Sequence, residues 1–444
     1  MNIRIEEVVF DPASVLDPNG RVFWWRGNVY RAVTEKAAGL YRTLLESGAF
    51  EKLIDAGMIH TEMTSLSLDG YDLVLSHDTV RFRSYPFEWC DEMLKDAALL
   101  TCDVNLALAS MGLSTQDAHG WNVLFDGPIP KFVDVGSIVP GKGDPRSWTG
   151  WYREFQDFFL YPLDLMSAGQ GGLARRLLAD ANGAAIRQNT PKLLPVTRRL
   201  RSRIEGFRNE PAWFRSGTSF LERLRRSVED IRFPETVTDW SGYYDEKFPS
   251  FEPSEDWSLK NRAVFETLRR LQPSSVVDVG SNKGWYSELA AGMRIPVVAF
   301  DVDEMCVRSL YTRASKGELQ ILPLIMDVRA PSPPRTSVRH GSFYPAAQER
   351  LKGELVLGLA IVHHLVFKQG LGFDEIVEML AAFVGRWLLI EFVPRTDRYV
   401  SEWYSDQFSW YSTENFVAAL SERFAHVELF DSSPAPRQLL LCER

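Results

Sequence analysis

Ser274-Ser275-Val276-Val277-Asp278-Val279-Gly280-Ser281-Asn282-Lys283-Gly284 is the stretch on which the fold of the second half of the chain turns. Its run of β-branched residues, broken only by Asp278, suits a short strand covered on both faces, as in a parallel sheet. Gly280 and Gly284 then permit a tight turn and a close approach of a ligand to the backbone. Working outward, a helical pattern over about Leu259 to Leu271 precedes the strand and another follows Gly284. The strand PVVAFD ends at Asp301, a further helix follows, and the strand ILPLIMD ends at Asp327. Strands alternating with helices predict an α/β domain with a doubly wound, mostly parallel sheet. Two more strands are expected: GELVLGLAIV, running into His363 and His364, and RWLLIEF, ending at Glu391. HVELFDSS and RQLLLCER close the chain as a predicted antiparallel hairpin over residues 426–442.

In such sheets ligands lie beyond the carboxyl ends of the strands, near the point where the strand order reverses. Asp301 follows Asp278 by 23 residues, the spacing at which an acid can take the hydroxyls of a ribose. The two glycines are four apart with Asn282 between them, which departs from the GxGxxG of dinucleotide sites. The motif, the acids after the second and third strands and the terminal hairpin together resemble the class I S-adenosylmethionine-dependent methyltransferases, over about residues 240–444. That resemblance implies a Rossmann-like sheet and S-adenosylmethionine as cofactor. Asp278, Gly280, Asn282 and Gly284 would line its methionine end, Asp301 its ribose and Asp327 its adenine amino group.

The ends of the fourth and fifth strands face the place of a methyl acceptor. His363 and His364 are candidate general bases, because imidazole titrates near neutrality and a hydroxyl or ammonium acceptor must lose a proton. A backbone-bonded, purely structural histidine is the competing expectation. Glu391 is a further catalytic candidate and the only obvious third ligand for a metal; no metal is expected. Trp240, Tyr243, Tyr244, Trp257 and Lys260, ahead of the motif, read as residues that cover the cleft and contact substrate, or as plain packing. Trp403 and Tyr404 open an aromatic-rich insertion after the fifth strand, where acceptor contacts are expected.

The first half reads differently. Residues 1 to about 85 alternate short β-like runs with one helix beginning near Thr34, as in a small α+β lobe. A helix over Glu88 to Met111 follows, then two short strands flanking Asp126-Gly127-Pro128. Asp117, His119 and Asn122, followed a dozen residues on by Asp134, resemble the catalytic loop and metal-binding turn of kinase-like folds, most closely the aminoglycoside-phosphotransferase branch. There the first Asp orients an acceptor hydroxyl while Asn and the second Asp hold magnesium on nucleotide phosphates. The lobe lacks a glycine-rich phosphate loop and offers Arg31 where such folds place a lysine. A scaffold turned to substrate binding is therefore expected, with a working phosphotransferase as the alternative. The expected domains are 1–232 (small lobe to about 85, helical lobe 86–232), a linker or cap over 233–258, and a methyltransferase domain over 259–444.

Composition bounds the rest. With 444 residues, 45% hydrophobic and 25% charged, the chain is long and apolar enough for two or three cores. Its net charge of −9 gives no overall attraction for nucleic acid or anionic membranes. Nine arginines against three glutamates over Thr197–Arg226 form a local exception, read as a solvated helical face rather than a phosphate-tracking arm. Four scattered cysteines form no CxxC pair, and no run is long and apolar enough to span a bilayer, so a cytoplasmic location is expected. The two-part arrangement is similar to bacterial methyltransferases of nodulation and secondary metabolism, which implies O-methylation of a small or medium-sized specialised metabolite. A peptide, protein or RNA acceptor recruited by the first domain, or a bifunctional phosphotransferase and methyltransferase, are the alternatives; the oligomeric state is left open.

Overall fold

The computed structural model describes residues 1–141, 145–180, 218–235, 251–337 and 342–444. The chain forms two compact units, one of Met1–Pro234 with Pro334–Pro345, the other of Glu235–Pro333 with Ala346–Arg444. The boundary between them falls at Pro234. The return of twelve residues, Pro334–Pro345, to the first unit has no counterpart in the sequence reading.

Unit 1 begins with a five-stranded antiparallel sheet of β1 (Val9–Phe10), β2 (Gly20–Trp25), β3 (Asn28–Val33), β4 (Thr61–Met63) and β5 (Leu73–His77), in the order β1-β2-β3-β5-β4. Burial rises along β3 from an exposed Asn28 to the consecutive buried residues Arg31, Ala32 and Val33, so the end of this strand is covered on both faces. Helix α1 (Glu35–Glu46) connects β3 onward and buries Ala37, Ala38, Tyr41 and Leu44 at i, i+1, i+4 and i+7, the stripe of an amphipathic helix. The long helix α2 (Asp91–Ala109) is buried on most of its faces; α3 (Ser219–Glu229) packs on it and Arg225 Nε donates to Asp103 at 2.6 Å. Two short strands, β6 (Val123–Asp126) and β7 (Ile129–Phe132), flank the Asp126-Gly127-Pro128 turn as an antiparallel hairpin. Of the arginine-rich run, residues 197–217 lie outside the described residues; of the three arginines that remain, Arg223, Arg225 and Arg226, the last two are paired with Asp103 and Glu222.

Unit 2 is a seven-stranded sheet layered by helices. Helix α4 (Leu259–Leu271) opens on Ser258, whose hydroxyl accepts from the Asn261 N–H, a cap of about 1 kcal/mol. The sheet then alternates β8 (Val276–Val279), α5 (Trp285–Gly292), β9 (Val297–Asp301), α6 (Glu304–Gly317), β10 (Ile321–Ile325), β11 (Gly353–Gly358), α7 (Val362–Phe367), α8 (Phe373–Ala381) and β12 (Val384–Phe392). After α9 (Arg398–Trp403) and α10 (Thr413–Ser421) it ends in β13 (His426–Asp431) and β14 (Gln438–Glu443). The strand order is β10-β9-β8-β11-β12-β14-β13. The first five are parallel, while β14 is antiparallel to both β12 and β13. The expected α/β sheet with its terminal antiparallel hairpin is therefore present. Val276, Leu355, Leu357, Leu389 and Leu441 of the sheet and Leu268, Leu289 and Leu310 of the helices share one buried core. The order reverses between β8 and β11, so the carboxyl ends of those two strands mark the crevice.

No helix among the described residues is long and apolar enough to cross a membrane.

Candidate functional site

The crevice of unit 2 is built on the turn after β8. Gly280 has φ +68° and Gly284 φ +80°, a region L-residues enter only at a cost. Space is refused as well as angle: a Cβ at Gly280 would lie 2.7 Å from Ile361 Cγ2, and one at Gly284 would run into Leu310. Asn282 between them is also left-handed at φ +51°. This turn is strapped to the end of β9. The Asn282 N–H donates to Asp301 Oδ2 at 2.8 Å, and the Asp303 N–H donates to Asp301 Oδ1 at 2.9 Å. Burial raises the Asp301 carboxyl above its ordinary value, and those backbone donors hold the rise in check. Asp303 in turn caps α6 by accepting from the N–H groups of Met305 and Cys306.

Asp278 is buried inside β8, where burial pushes its carboxyl up to about 6 against a hydrogen bond from Ser287. The Ser287 hydroxyl donates to Asp278 Oδ2 at 2.6 Å. Asp327, beyond β10, is accessible but occupied. Arg329 Nη2 lies 2.5 Å from its Oδ2 and the Arg329 N–H donates to its Oδ1 at 2.9 Å. Partial burial raises this carboxyl, and the Arg329 contacts outweigh that and lower it overall.

His363 and His364 do not sit at a strand end as expected. β11 stops at Gly358, Ala360 takes φ +55°, and both histidines lie in the first turn of α7. A helical turn lets neighbours share a surface that alternation along a strand would split. Their rings lie 4.3 Å apart, with Trp403 of α9 stacked on His363 at 6.0 Å and tilted against His364 at 5.4 Å. His363 is 4% exposed, and its Nδ1 has no hydrogen-bond partner. Burial pulls its pKa down to about 3, aided by His364, Arg437 and Lys260. Burial likewise pulls His364 down to about 4, aided by Lys368 and Arg437. The Lys368 ammonium rests 4.4 Å over the Trp403 ring.

Glu391 is fully buried, with both oxygens engaged: Lys260 Nζ donates to Oε2 at 2.6 Å and the Ser432 hydroxyl to Oε1 at 3.0 Å. It therefore counterbalances Lys260, a role the sequence spacing did not suggest. Lys260 lies on the first turn of α4, beneath which the Tyr286 ring sits 5.4 Å away. Trp257 is a correction to the expected cover. It is 4% exposed, packed on Phe265 at 5.5 Å and Trp285 at 5.7 Å, because a ring that large gains most by joining the core. Tyr404, at the end of α9, has Arg395 5.9 Å over its ring. Trp240, Tyr243 and Tyr244 lie outside the described residues.

Among residues the sequence reading missed are Ser287, Ser432 and the buried pair of Arg437 with Asp397, 2.9 Å apart. Asp278 and Glu391 gave the only available signal: a carboxylate inside an apolar strand needs a donor nearby.

Unit 1 gathers its own constellation. Asp117, His119, Asn122 and Asp134 all line one cavity of about 500 Å³. The loop between them is held by the Val133 N–H donating to the Asn122 carbonyl at 2.9 Å and the Ala118 N–H to Glu154 Oε2 at 2.9 Å. Asp134 is pushed up to about 6 by burial, with Arg31 opposing and Asp17 and Asp117 adding to the rise. Arg31, 3% exposed, is ion-paired with Asp17 and lies 3.4 Å from Asp134. Asp17 is the second missed residue class. A cation buried on a strand demands a counter-charge, and the loop Asp11–Asn19 supplies it.

No family model matches the chain. Nodulation protein NoeA of Rhizobium meliloti (strain 1021) is 26% identical over 446 residues, covering 92% of this chain and 91% of that protein. Among solved structures, the bifunctional kinase-methyltransferase WbdD aligns at 17% identity and a TM-score of 0.30, covering 41% of this chain and 37% of that one; this chain thus matches well under half of that protein's length. Magnesium protoporphyrin IX methyltransferase (ChlM) from Synechocystis PCC 6803 with bound SAM aligns at 13% identity and a TM-score of 0.31, covering 48% of this chain and 99% of that one. Scores this low add nothing to what the sheet itself displays. By its strand order, its glycine turn and its antiparallel last strand, unit 2 has the fold of the class I S-adenosylmethionine-dependent methyltransferases.

Proposed function

We propose that the chain is a methyltransferase that uses S-adenosylmethionine and methylates an oxygen of a small or medium-sized specialised metabolite. One observation carries the reading: the left-handed glycine turn and the Asp301 carboxylate are bonded together beside the switch point, with His363, its Nδ1 unpartnered, on the helix that follows the adjacent strand β11. The residues fit the cofactor. Gly280 and Gly284 keep the backbone bare where a Cβ would collide, and Asp301 retains lone pairs for hydroxyls beyond its two backbone donors. Asp327 would meet the adenine amino group by loosening Arg329. When bound, the cofactor supplies an electrophilic methyl group on a sulfonium.

The remaining work falls to this chain's side chains. The crevice orients the acceptor, and orientation accounts for most of what such a displacement needs. His363, in the tautomer with its proton on Nε2, presents Nδ1 to the acceptor hydroxyl. Burial, aided by the nearby charges of Lys260 and Arg437, disfavours imidazolium, so as Nδ1 takes the acceptor's proton the ring gives up its Nε2 proton to solvent. Trp403 supplies a flat wall against which the acceptor can lie.

Unit 1 reads in this scheme as a kinase-like scaffold without phosphotransfer. The five-stranded sheet, the following helix and the Asp117, Asn122 and Asp134 cluster support the likeness. The Arg31 pairing with Asp17 argues against a working nucleotide-phosphate grip.

Incubating the purified chain with methyl-labelled S-adenosylmethionine and fractionated cell extract tests the proposal. Label is expected in a low-molecular-weight fraction and as an alkali-stable ether. Label confined to protein or RNA would move the acceptor to the second reading, and no transfer with no S-adenosylhomocysteine binding would defeat the proposal.

A further inference from the structure

Charge around the two histidines of α7 does not cancel. The ionised side chains close enough to act on them are Asp397, Lys260, Arg437 and Lys368. Arg437 Nε donates to Asp397 Oδ2 at 2.9 Å, and the other oxygen of Asp397 accepts from the Tyr399 N–H at 3.0 Å. Lys260 is paired with Glu391, whose second oxygen takes the Ser432 hydroxyl. Both pairs are neutral as wholes, so the charge left over beside the histidines is the ammonium of Lys368.

Lys368 closes α7, four residues after His364, and its backbone N–H donates to the His364 carbonyl at 3.0 Å. That spacing puts the two side chains on one side of the helix. Among the described residues no carboxylate lies within ion-pair distance of the Lys368 ammonium. It rests instead 4.4 Å over the ring of Trp403, the same ring that stacks on His363 and tilts against His364. Exposed arginines elsewhere in unit 2 are matched by acids: Arg269 by Glu266, Arg270 by Glu428 and Arg386 by Glu443. Trp403 is half-buried and Lys368 exposed, so one ring reaches from a buried base to an unmatched cation. A cation over an exposed ring is held less firmly than by a charge-assisted hydrogen bond. The ammonium is therefore available to an anion that comes to lie along Trp403.

We propose that the methyl acceptor is an anion and that Lys368 determines this specificity: the acceptor carries a carboxylate, phosphate or sulfate apart from the oxygen that is methylated, and that group pairs with Lys368 while the oxygen meets His363. Trp403 sets the span between the two contacts. The anion is a separate group because His363 Nδ1, buried and without a donor, calls for an oxygen that still bears its proton. The inference rests on the methyltransferase reading and narrows its acceptor.

A low-molecular-weight cell extract split on a quaternary-ammonium resin at about pH 7 tests it, each half being offered to the full-length chain with methyl-labelled S-adenosylmethionine. Transfer is expected to an acceptor in the retained half. Lys368→Glu should raise the amount of that half needed for half-maximal transfer by about tenfold, with the maximal rate within roughly threefold and S-adenosylhomocysteine affinity in calorimetry unchanged, since the reversed charge meets the acceptor and not the cofactor. Lys368→Arg should stay within about threefold of the wild type. The half-maximal amount for the wild type should rise with salt between about 50 and 300 mM, and that for Lys368→Gln should not. Repeating the split at about pH 2 identifies the anion, because a carboxylate is neutral there and passes through while phosphate and sulfate are retained. Transfer only to acceptors in the unretained half, a Lys368→Glu chain indistinguishable from the wild type, or an equal loss in Lys368→Arg would each overturn the proposal and leave the methyltransferase reading in place. No transfer from either half would overturn it too, and S-adenosylhomocysteine binding then separates that result from failure of the methyltransferase reading itself.

Discussion

Asp301 and His363 show how much a single side chain is asked to do in this crevice. Asp301 ties the glycine turn to β9 and keeps lone pairs toward the crevice. Asp301→Ala is therefore expected to weaken S-adenosylhomocysteine binding by about 1–3 kcal/mol in calorimetry, the value of hydrogen bonds to a charged acceptor. For His363 the environment matters more than the residue type. An imidazole lowered to about 3 is neutral throughout the range in which the protein would be assayed. Only the neutral form can accept a proton, so its contribution rises with pH only near 3 and is flat from pH 5 to 9. His363→Ala is expected to lower kcat by about two to four orders of magnitude without introducing or removing a step in that range, while cofactor affinity holds. A wild-type profile that steps near pH 6.5 and loses the step in His363→Ala would mean that the ring is solvated and protonates normally.

Among the elements, the contact between α4 and β12 is the most exposed to test, because Lys260 and Glu391 form an ion pair in which the carboxylate is fully buried. Removing one partner of such a pair strands a charge, at about 3–5 kcal/mol, while replacing both by apolar residues is often neutral. Lys260→Met should lower the urea midpoint of unit 2, and Lys260→Met with Glu391→Leu should recover most of the loss. A double variant no more stable than the single one would show that Ser432, not Lys260, supports Glu391. The same pair marks where reading the chain in order falls short. β8, β9, β10 and the terminal hairpin were legible because apolar runs between turns announce buried strands whatever their partners. Asp278, Gly280, Gly284 and Asp301 were legible because they lie on strand ends, at spacings set by the βαβ unit. Lys260 and Glu391 are 131 positions apart, and nothing local announces that they meet. His363 and His364 were misplaced by a few residues for a local reason: the apolar run GELVLGLAIV looks like one strand, yet its last third bends through Ala360 into α7.

At the scale of the whole molecule, each unit carries a carboxyl group pushed up to about 6 by burial, Asp134 in one and Asp278 in the other. In the unfolded chain these groups titrate near 4. Between about pH 4 and 6 the folded state therefore binds the additional protons, and stability falls as pH rises through that window. Asp134→Asn and Asp278→Asn should each flatten the decline in melting temperature between about pH 4 and 6, and a slope unchanged in both would mean that other groups govern it. The two units also differ in their expected sensitivity: Asp117→Ala and Asp134→Ala should leave methyl transfer within about twofold of the wild-type rate if unit 1 is a scaffold without phosphotransfer. Loss of turnover in both, with far-ultraviolet circular dichroism unchanged, would make unit 1 a catalytic partner instead.

The Pro334–Pro345 excursion bears on how such a chain could arise and be dissected. Its Tyr344 ring lies 4.3 Å from Trp121 and 5.4 Å from Tyr85, so this excursion completes an aromatic cluster that Met1–Pro234 cannot complete alone. The covalent path passes between the units three times, at residues 234, 333 and 345. A gene break at any single codon would leave one half lacking a piece of its own hydrophobic packing. A fragment ending at Pro234 should accordingly need the Pro334–Pro345 segment, supplied as a peptide or spliced onto its end, before Tyr85 and Trp121 cease to be a surface that aggregates.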